Sequence, residues 1–180
     1  MTGSVARRYA RALFELSRER NTLEDTAAEI DRLAGIAADP KISAVLANPM
    51  LPPSRRSQIA QLIIKDISPS DLTARFVALL ADQQRLGELP GIARELSRLL
   101  DRHLGRVRLI VRAPMALSSE QGGEIVSTFA KLTGKSVLPT FEVDADLLGG
   151  VVVEAEGKVY DGSIKTQLER LAKQLSGAVH

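Results

Sequence analysis

Hydrophobic residues recur every three or four positions through the first 105 residues, which is the spacing of amphipathic helices. Capping and turn residues divide this region into helices with short connections, as in a compact bundle. The predicted helices cover Ser4 to Arg20, Thr22 to Asp39, Lys41 to Ala47, Ser54 to Lys65, Ser68 to Gly87 and Pro90 to Gly105.

Several of these helices carry a clear apolar face. In the first helix the predicted face consists of Val5, Tyr9, Ala12, Leu13 and Leu16. In the second it consists of Leu23, Ala27, Ile30, Ala34 and Ala37, and in the fifth of Leu72, Phe76, Leu79, Leu80 and Gln83. Phe14 stands apart among Arg7, Arg11 and Arg18, so it marks either a second buried face or a single contact with a neighbouring helix.

The hydrophobic pattern changes after Gly105. Val107, Leu109 and Val111 alternate with their neighbours, which predicts a strand. A Ser118/Gln121 capping box then starts a helix that Gly134 ends, and Pro139 favours an edge position for the next strand. The fold class is therefore α+β, with a bundle of five or six helices in residues 1–105 and a small αβ domain in residues 106–180.

Residues 143–163 form the most informative stretch of the C-terminal region. Two β-branched runs flank Glu156-Gly157-Lys158, which predicts a hairpin. Gly149 and Gly150 allow a bend or a close backbone approach. Asp161-Gly162-Ser163 closes the hairpin, with Ser163 as the expected N-cap of a last helix. The inner stripe of that helix is Ile164, Leu168, Leu171 and Leu175.

The composition excludes most catalytic and metal chemistry. The chain has no cysteine, which removes disulfides, thiolate metal sites and thiol nucleophiles, and its two histidines stand at a helix end and at the chain end. Asp144, Asp146 and Asp161 are too few and wrongly spaced for a calcium loop. We therefore expect no catalytic residue, no metal and no cofactor. A signal peptide and a membrane span are also absent from the pattern, so a soluble protein is expected.

Two short patterns raise the question of nucleotide or nucleic-acid binding. Gly134-Lys135-Ser136 resembles the end of a P-loop, but Phe129 occupies a required glycine position and the triplet follows a helix instead of opening one. Arg106, Arg108 and Arg112 fit either a solvated strand face or an RNA-binding helical protein of the antitermination type. No aromatic residues are interleaved with these arginines for base stacking, and the net charge is only +2.

Four motifs, in this order, resemble one protein family. They are RYARALF at 8–14, RLGELP at 85–90, LGGVVV at 148–153 and VYDGS at 159–163. The chain resembles the delta subunit of bacterial F-type ATP synthase, a family whose mitochondrial relative is the oligomycin-sensitivity-conferring protein. The resemblance covers essentially the whole chain.

The resemblance implies a non-catalytic stator part, bound peripherally at the cytoplasmic face of the bacterial inner membrane and only through the complex. It implies that the N-terminal helix of an alpha subunit docks between the first and fifth helices, over Tyr9, Ala12, Leu16, Phe76 and Leu79. It implies that the C-terminal domain holds the peripheral-stalk b subunits, with Ile164, Leu168, Leu171 and Leu175 as the expected contacts. Gly149, Gly150, Asp161, Gly162 and Ser163 are the structural residues of the family motif. No nucleic acid is expected as a partner.

Overall fold

The computed structural model describes residues 2–46 and 67–163, together with positions 52, 55, 58, 59, 61, 62, 64 and 166. The chain divides into two compact units, Met1–Leu100 and Asp101–His180. Half of the predicted helix over Ser54 to Lys65 lies outside the described residues, and its six described positions (55, 58, 59, 61, 62 and 64) are helical. The last predicted helix lies outside the described residues apart from its start at Ser163 and position 166.

The described part of the first unit is helical. It contains α1 (Thr2–Glu19), α2 (Leu23–Ala37), α3 (Pro40–Leu46), α4 (Asp71–Asp82), a 3-10 turn (Leu86–Glu88) and α5 (Leu89–His103), whose last three residues belong to the second unit. The fifth predicted helix corresponds to α4. Among the described helices of the chain, none is long and apolar enough to cross a membrane.

Leucine, isoleucine and valine side chains form the core of this unit. The predicted inner face of α2 is confirmed, because all five of its residues are buried. The largest fully buried side chains of the unit are Leu13, Ile30, Leu33, Val77, Leu80, Leu89, Ile92 and Leu96. Since the chain holds only 3% aromatic residues, these aliphatic contacts supply most of its hydrophobic stabilisation.

The predicted inner face of α1 is largely wrong. The buried stripe consists of Ala6, Ala10, Leu13, Phe14 and Ser17, so only Leu13 belongs to both sets. Close packing against α5 explains the difference, because a Cβ added at Gly91 would lie 3.2 Å from the Cβ of Ala6. Small residues therefore occupy the contact, and the larger side chains of α1 lie beside it. Phe14 belongs to this one buried stripe, so it does not mark a second buried face.

The start of α4 also differs from the prediction. The cap is Ser70 and not Ser68, because the Ser70 hydroxyl accepts a hydrogen bond from the Thr73 amide at 3.5 Å. Glu29 of α2 holds Ser70 in place by accepting from its amide at 2.9 Å and from its hydroxyl at 2.8 Å. The helix consequently begins at Asp71, and it ends at Asp82 instead of continuing to Gly87.

The buried face of α4 is rotated from the predicted one. It consists of Thr73, Phe76, Val77, Leu80 and Ala81. Phe76 and Leu80 are in both sets, whereas Leu79 and Gln83 are exposed. The prediction missed Thr73, Val77 and Ala81, all of which lie on the side of α4 away from Leu79.

The described part of the second unit consists of a four-stranded sheet and one helix. Its elements are β1 (Arg106–Ala113), α6 (Ser119–Thr133), β2 (Ser136–Val143), β3 (Val152–Ala155) and β4 (Lys158–Asp161). The strand order is β2-β1-β3-β4, with β1 and β2 parallel and the other neighbouring pairs antiparallel. The α+β class is thereby confirmed, and α6 makes the crossover that a parallel pair requires.

Local signals predicted the elements of this unit well. The Ser118/Gln121 capping box is present, and Gly134 ends α6 with a φ of 65°. Pro139 lies in β2, which is an edge strand as predicted. The core between α6 and the sheet consists of Val107, Leu109, Val111, Phe129, Val153 and Ala155.

Candidate functional site

An exposed apolar face runs along α1 and α4 in the first unit. Leu16 of α1 and Leu79 of α4 are 45% and 47% exposed, Ala12 is exposed and Tyr9 is half-buried. Tyr9, Ala12 and Leu16 recur at helical spacing, so they share one side of α1 next to its buried stripe. We call Tyr9, Ala12, Leu16 and Leu79 the α1/α4 face.

The aromatic pair Tyr9 and Phe76 joins the two helices of this face. The ring centroids lie 6.3 Å apart, and the ring planes meet at 70°, an edge-to-face arrangement. Phe76 is only 8% exposed and thus belongs to the core, whereas the four residues of the face remain accessible. The structure therefore separates the five predicted alpha-binding residues into one buried anchor and four surface residues.

Charged side chains border the α1/α4 face. The Arg8 guanidinium lies 5.3 Å from the centroid of the Tyr9 ring, within the range of a cation–π contact. Arg18 pairs with Glu15 one turn away on α1, and Arg75 pairs with Asp71 on α4 at 2.9 Å. An apolar centre with a charged border is the usual composition of a protein-binding surface.

Glu29 of α2 fixes the first turn of α4 through its hydrogen bonds to Ser70. Burial raises the pKa of its carboxyl group, but hydrogen bonds from Thr73 and Ser70 and the charge of Arg32 lower it by more. The pKa of Glu29 consequently lies below its ordinary value, and the ionised carboxylate is the form that holds Ser70. No sequence signal links Glu29 to Ser70, because 41 residues separate them.

Two of the family-motif glycines, Gly150 and Gly162, lie close to backbone atoms. Gly150 has a φ of 80°, and a Cβ built on it would lie 2.4 Å from the Gly162 carbonyl oxygen. The Gly162 amide donates to the Val151 carbonyl at 3.0 Å, which ties the loop before β3 to the end of β4. Gly149 has an extended φ of 159° and needs no left-handed conformation. Only Gly150 is therefore restricted by both conformation and space.

A small hydrogen-bond network follows the hairpin. The Asp161 carboxylate accepts from the Ser163 amide at 2.8 Å and from the Thr166 hydroxyl at 2.7 Å. The Ser163 hydroxyl accepts from the Thr166 amide at 3.3 Å, which is the hydrogen bond of an N-cap. Ser163 itself is buried. Asp161, Gly162 and Ser163 thus fix the direction in which the chain leaves the sheet.

The predicted stalk-binding residues Ile164, Leu168, Leu171 and Leu175 lie outside the described residues. Within the described part, the second unit has an apolar groove of about 450 Å³ between α6 and the end of β2. We call this the α6/β2 groove; its apolar lining includes Met115, Leu117, Val126, Phe141 and Val143. Sequence reasoning missed it, although Gly122-Gly123 inside a helix was a signal, since each glycine costs about 1 kcal/mol relative to alanine.

Two arginines of β1, Arg108 and Arg112, are paired with carboxylates. Arg108 forms a salt bridge with Asp101, and Arg112 lies 2.9 Å from Glu142 on β2 and 3.6 Å from Glu154 on β3. RNA binding by β1 would require the strand to be basic, and these pairs neutralise the charge of Arg108 and Arg112. The RNA-binding alternative therefore finds no support.

The Gly134-Lys135-Ser136 triplet serves as a helix end and a strand start. Gly134 caps α6, Lys135 pairs with Glu156 of the hairpin turn, and the Ser136 amide donates to the Gly105 carbonyl at 3.0 Å. The triplet therefore does not lie at the N-terminus of a helix, which is where a P-loop binds phosphate. Among the described residues there is also no group of three His, Asp or Glu side chains that could hold a metal ion. Asp144 instead accepts from the Asp146 amide at 3.1 Å within a turn.

Comparison with known proteins decides the family. Residues 5–175 match the model of the family described as the ATP synthase delta (OSCP) subunit. The chain belongs to the ATP synthase delta (OSCP) family. This confirms the family that the four sequence motifs resemble.

Relatives within the delta (OSCP) family match nearly the whole chain. ATP synthase subunit delta of Desulforamulus reducens is 37% identical over 176 residues, covering 97% of each protein. ATP synthase subunit delta of Anaeromyxobacter sp. strain Fw109-5 is 38% identical over 174 residues, covering 96% of this chain and 97% of the relative. A chain of the cryo-EM structure of the Toxoplasma gondii mitochondrial ATP synthase hexamer shares the fold, with a TM-score of 0.71, 20% identity and coverage of 94% and 96%.

Proposed function

We propose that this chain is a non-catalytic stator subunit of an F-type ATP synthase. It links the alpha/beta catalytic head to the peripheral-stalk b subunits, so that the head resists rotor torque during proton-driven ATP synthesis. It sits peripherally at the cytoplasmic face of the bacterial inner membrane, attached only through the complex. Membership of the delta (OSCP) family supports this function, and the α1/α4 face is the structural observation that carries it.

The α1/α4 face suits a partner helix. Its apolar side chains lie on two adjacent helices joined by the Tyr9–Phe76 contact, and exposed Ala12 allows another backbone to come close. A helix laid along such a surface buries anchors at i, i+3 or i+4, and i+7. The proposed occupant is the N-terminal helix of an alpha subunit. Slow dissociation of that helix would keep this chain attached to the catalytic head under torque.

The test is a charge placed in the centre of this face. Ala12→Asp should leave the helix content and melting of the full chain unchanged, because Ala12 is exposed. It should weaken binding of a synthetic alpha N-terminal helix roughly 100-fold or more, since an unpaired buried charge costs about 3–5 kcal/mol. Isothermal titration calorimetry measures both the wild-type and the variant affinity.

Ala78→Asp is the matched control for this experiment. Ala78 is an exposed alanine of α4 that is turned about 100° around the helix from Leu79 and is not part of the α1/α4 face, so the same added charge should leave affinity within about twofold of wild type. If Ala12→Asp binds the alpha helix as well as Ala78→Asp does, the α1/α4 face is not the docking site.

A further inference from the structure

We propose that the outer edge of β2 is able to pair with β2 of a second copy of this chain, and that Pro139 prevents this pairing. The outer edge consists of the backbone groups of residues 137–143 that point away from β1. Pro139 thereby keeps the chain from associating with itself through its sheet. This role is independent of the proposed stator function.

The even-numbered residues of β2 turn their backbone hydrogen-bonding groups toward β1. At one end the Ser136 amide donates to the Gly105 carbonyl at 3.0 Å, and at the other the Asp144 amide donates to the Ala113 carbonyl at 2.8 Å. The parallel register between these two ends is unbroken. Because successive residues of a strand direct these groups to opposite sides, the odd-numbered residues of β2 present theirs at the outer edge.

Pro139 occupies one of these outward positions. The other outward positions are Val137, Phe141 and Val143, each of which has an amide that can donate to another strand. Proline has no amide hydrogen, and its ring fills the space in which a neighbouring strand would lie. The proline therefore interrupts the row of donors in the middle of the outer edge, while the ladder between β1 and β2 loses no hydrogen bond.

Apart from the proline, β2 has the features of a strand that pairs readily. Within the described part of the chain, β1 is its only neighbouring strand. It is 8 residues long, and every residue except the second is exposed. Leu138, Phe141 and Val143 are 39%, 47% and 64% exposed. The one charged residue of the strand, Glu142, is paired with Arg112 of β1. Long, exposed and apolar edge strands are a common cause of association.

The opposite edge of the sheet is protected in a different way. β4 is only 4 residues long, and two of them, Lys158 and Asp161, are charged. Short length and charge, above all lysine, are common means of keeping edge strands apart. β2 is longer and contains no lysine, since Lys135 precedes the strand and pairs with Glu156. The proline therefore supplies at β2 the protection that length and charge supply at β4.

A second copy of the chain fits the outer edge of β2 in an antiparallel arrangement. Two identical edges related by a two-fold axis supply donors and acceptors to each other at the same spacing. Full overlap places residue 137 of one copy opposite residue 143 of the other, and residue 139 opposite residue 141. Each proline then lies near the centre of the ladder, where its ring blocks the approach and its missing amide leaves a carbonyl without a hydrogen bond.

The experiment returns the missing amide to the edge. Pro139→Thr in the full chain introduces a residue that favours strands, and position 139 is exposed, so helix and sheet content at low concentration should match wild type. At about 100 μM, we expect the apparent mass of the variant in sedimentation velocity to rise about twofold or more, whereas wild type stays monomeric.

Amide hydrogen exchange identifies the surface that associates. In wild type, the outward amides of Phe141 and Val143 should exchange quickly, whereas the inward amides of Leu138 and Glu142 should be protected by their bonds to β1. In associated Pro139→Thr, the two outward amides should exchange at least about tenfold more slowly than in wild type, with the inward ones unchanged.

Two variants serve as matched controls. Pro52→Thr makes the same exchange at an exposed position of the first unit and should leave the mass monomeric. Pro139→Thr combined with Phe141→Pro moves the proline to the next outward position and should also be monomeric. This double variant loses the contact between the Phe141 ring and Gly122, so it should be less stable than Pro139→Thr. Loss of association in a less stable chain excludes unfolding as the cause of the association.

Each outcome supports the proposal or overturns it. Association of Pro139→Thr with new protection of the Phe141 and Val143 amides supports it. A monomeric Pro139→Thr at the same concentration overturns it, and so does association without that protection, because the contact then lies elsewhere. If Pro139→Thr does not fold, Pro139→Ala takes its place. If neither variant folds, the proline is required by the fold of the unit itself, which also overturns the proposal.

Discussion

Replacing Gly150 with alanine should destabilise the second unit more than the same change at any other hairpin glycine. Gly150 and Gly157 have nearly equal φ values of 80° and 79°. A Cβ at Gly150 meets the Gly162 carbonyl oxygen at 2.4 Å and the Ser163 Cα at 2.9 Å, whereas a Cβ at Gly157 meets nothing within 4 Å. The two alanine variants therefore separate the conformational cost from the steric cost.

The expected magnitudes follow from this comparison. Gly157→Ala carries only the penalty of a left-handed conformation, about 1–2 kcal/mol. Gly150→Ala carries the same penalty and also a backbone displacement, for which overpacking costs about 1–3 kcal/mol. The sum of about 2–5 kcal/mol is a large part of the stability of a small domain, which is commonly about 5–15 kcal/mol. In Gly150→Ala the hydrogen bond from the Gly162 amide to the Val151 carbonyl should also weaken, because the displaced backbone includes the Gly162 amide.

Tyrosine fluorescence during urea unfolding can report on this unit alone. The chain has no tryptophan and only two tyrosines, so Tyr9→Phe leaves Tyr160 as the single fluorophore. Tyr160 packs edge-on against Phe129, with the ring centroids 5.3 Å apart. Its emission should therefore change when unfolding separates the sheet from α6. If both alanine variants lower the free energy of unfolding equally, the close contact between Gly150 and Gly162 is not a constraint on the fold.

Two further results are expected from the first unit. Glu29→Gln should lower its stability at neutral pH, because the carboxylate holds Ser70 at the start of α4. The folded-state pKa of Glu29 lies below the ordinary value, so its contribution is present above the unfolded-state pKa and is lost as pH falls through the folded one. Wild type and variant should therefore converge in urea unfolding at acidic pH, and a constant difference across pH would contradict this. Residues 1–105 expressed alone should melt cooperatively with strongly helical circular dichroism, and a broad transition would argue against an autonomous domain.

The second unit could be predicted closely because its turns and caps are encoded locally. The Ser118/Gln121 box spans four residues, Gly134 ends the helix by its own conformation, and Glu156-Gly157 forms a two-residue turn with both φ values positive. Each signal is complete within a few positions of sequence. Local chemistry therefore predicts the order, type and approximate bounds of the described elements here.

The first unit could be predicted less closely because distant residues determine its details. The cap of α4 depends on Glu29, which no local pattern around Ser68 and Pro69 contains. The inner face of α1 depends on how closely Gly91 approaches Ala6, and that contact joins opposite ends of the unit in sequence. Periodicity therefore located the helices, whereas tertiary contacts chose which side of each helix is buried.

The same distinction between local signals and tertiary contacts explains why the sequence alone indicated the family but did not locate the exposed apolar surfaces. The motif around Gly150, Gly162 and Ser163 is recognisable because backbone geometry restricts those positions to particular residue types. No such local restriction applies to the α1/α4 face or to the α6/β2 groove, so the pattern of this chain alone does not reveal either surface. Leu16 and Leu79 look like core residues in sequence and become surface residues only when Ala6, Ala10 and Phe76 are found to occupy the core. An apolar side chain that helical periodicity predicts to be buried, and that the fold leaves exposed, is consequently the signal by which the α1/α4 face is found.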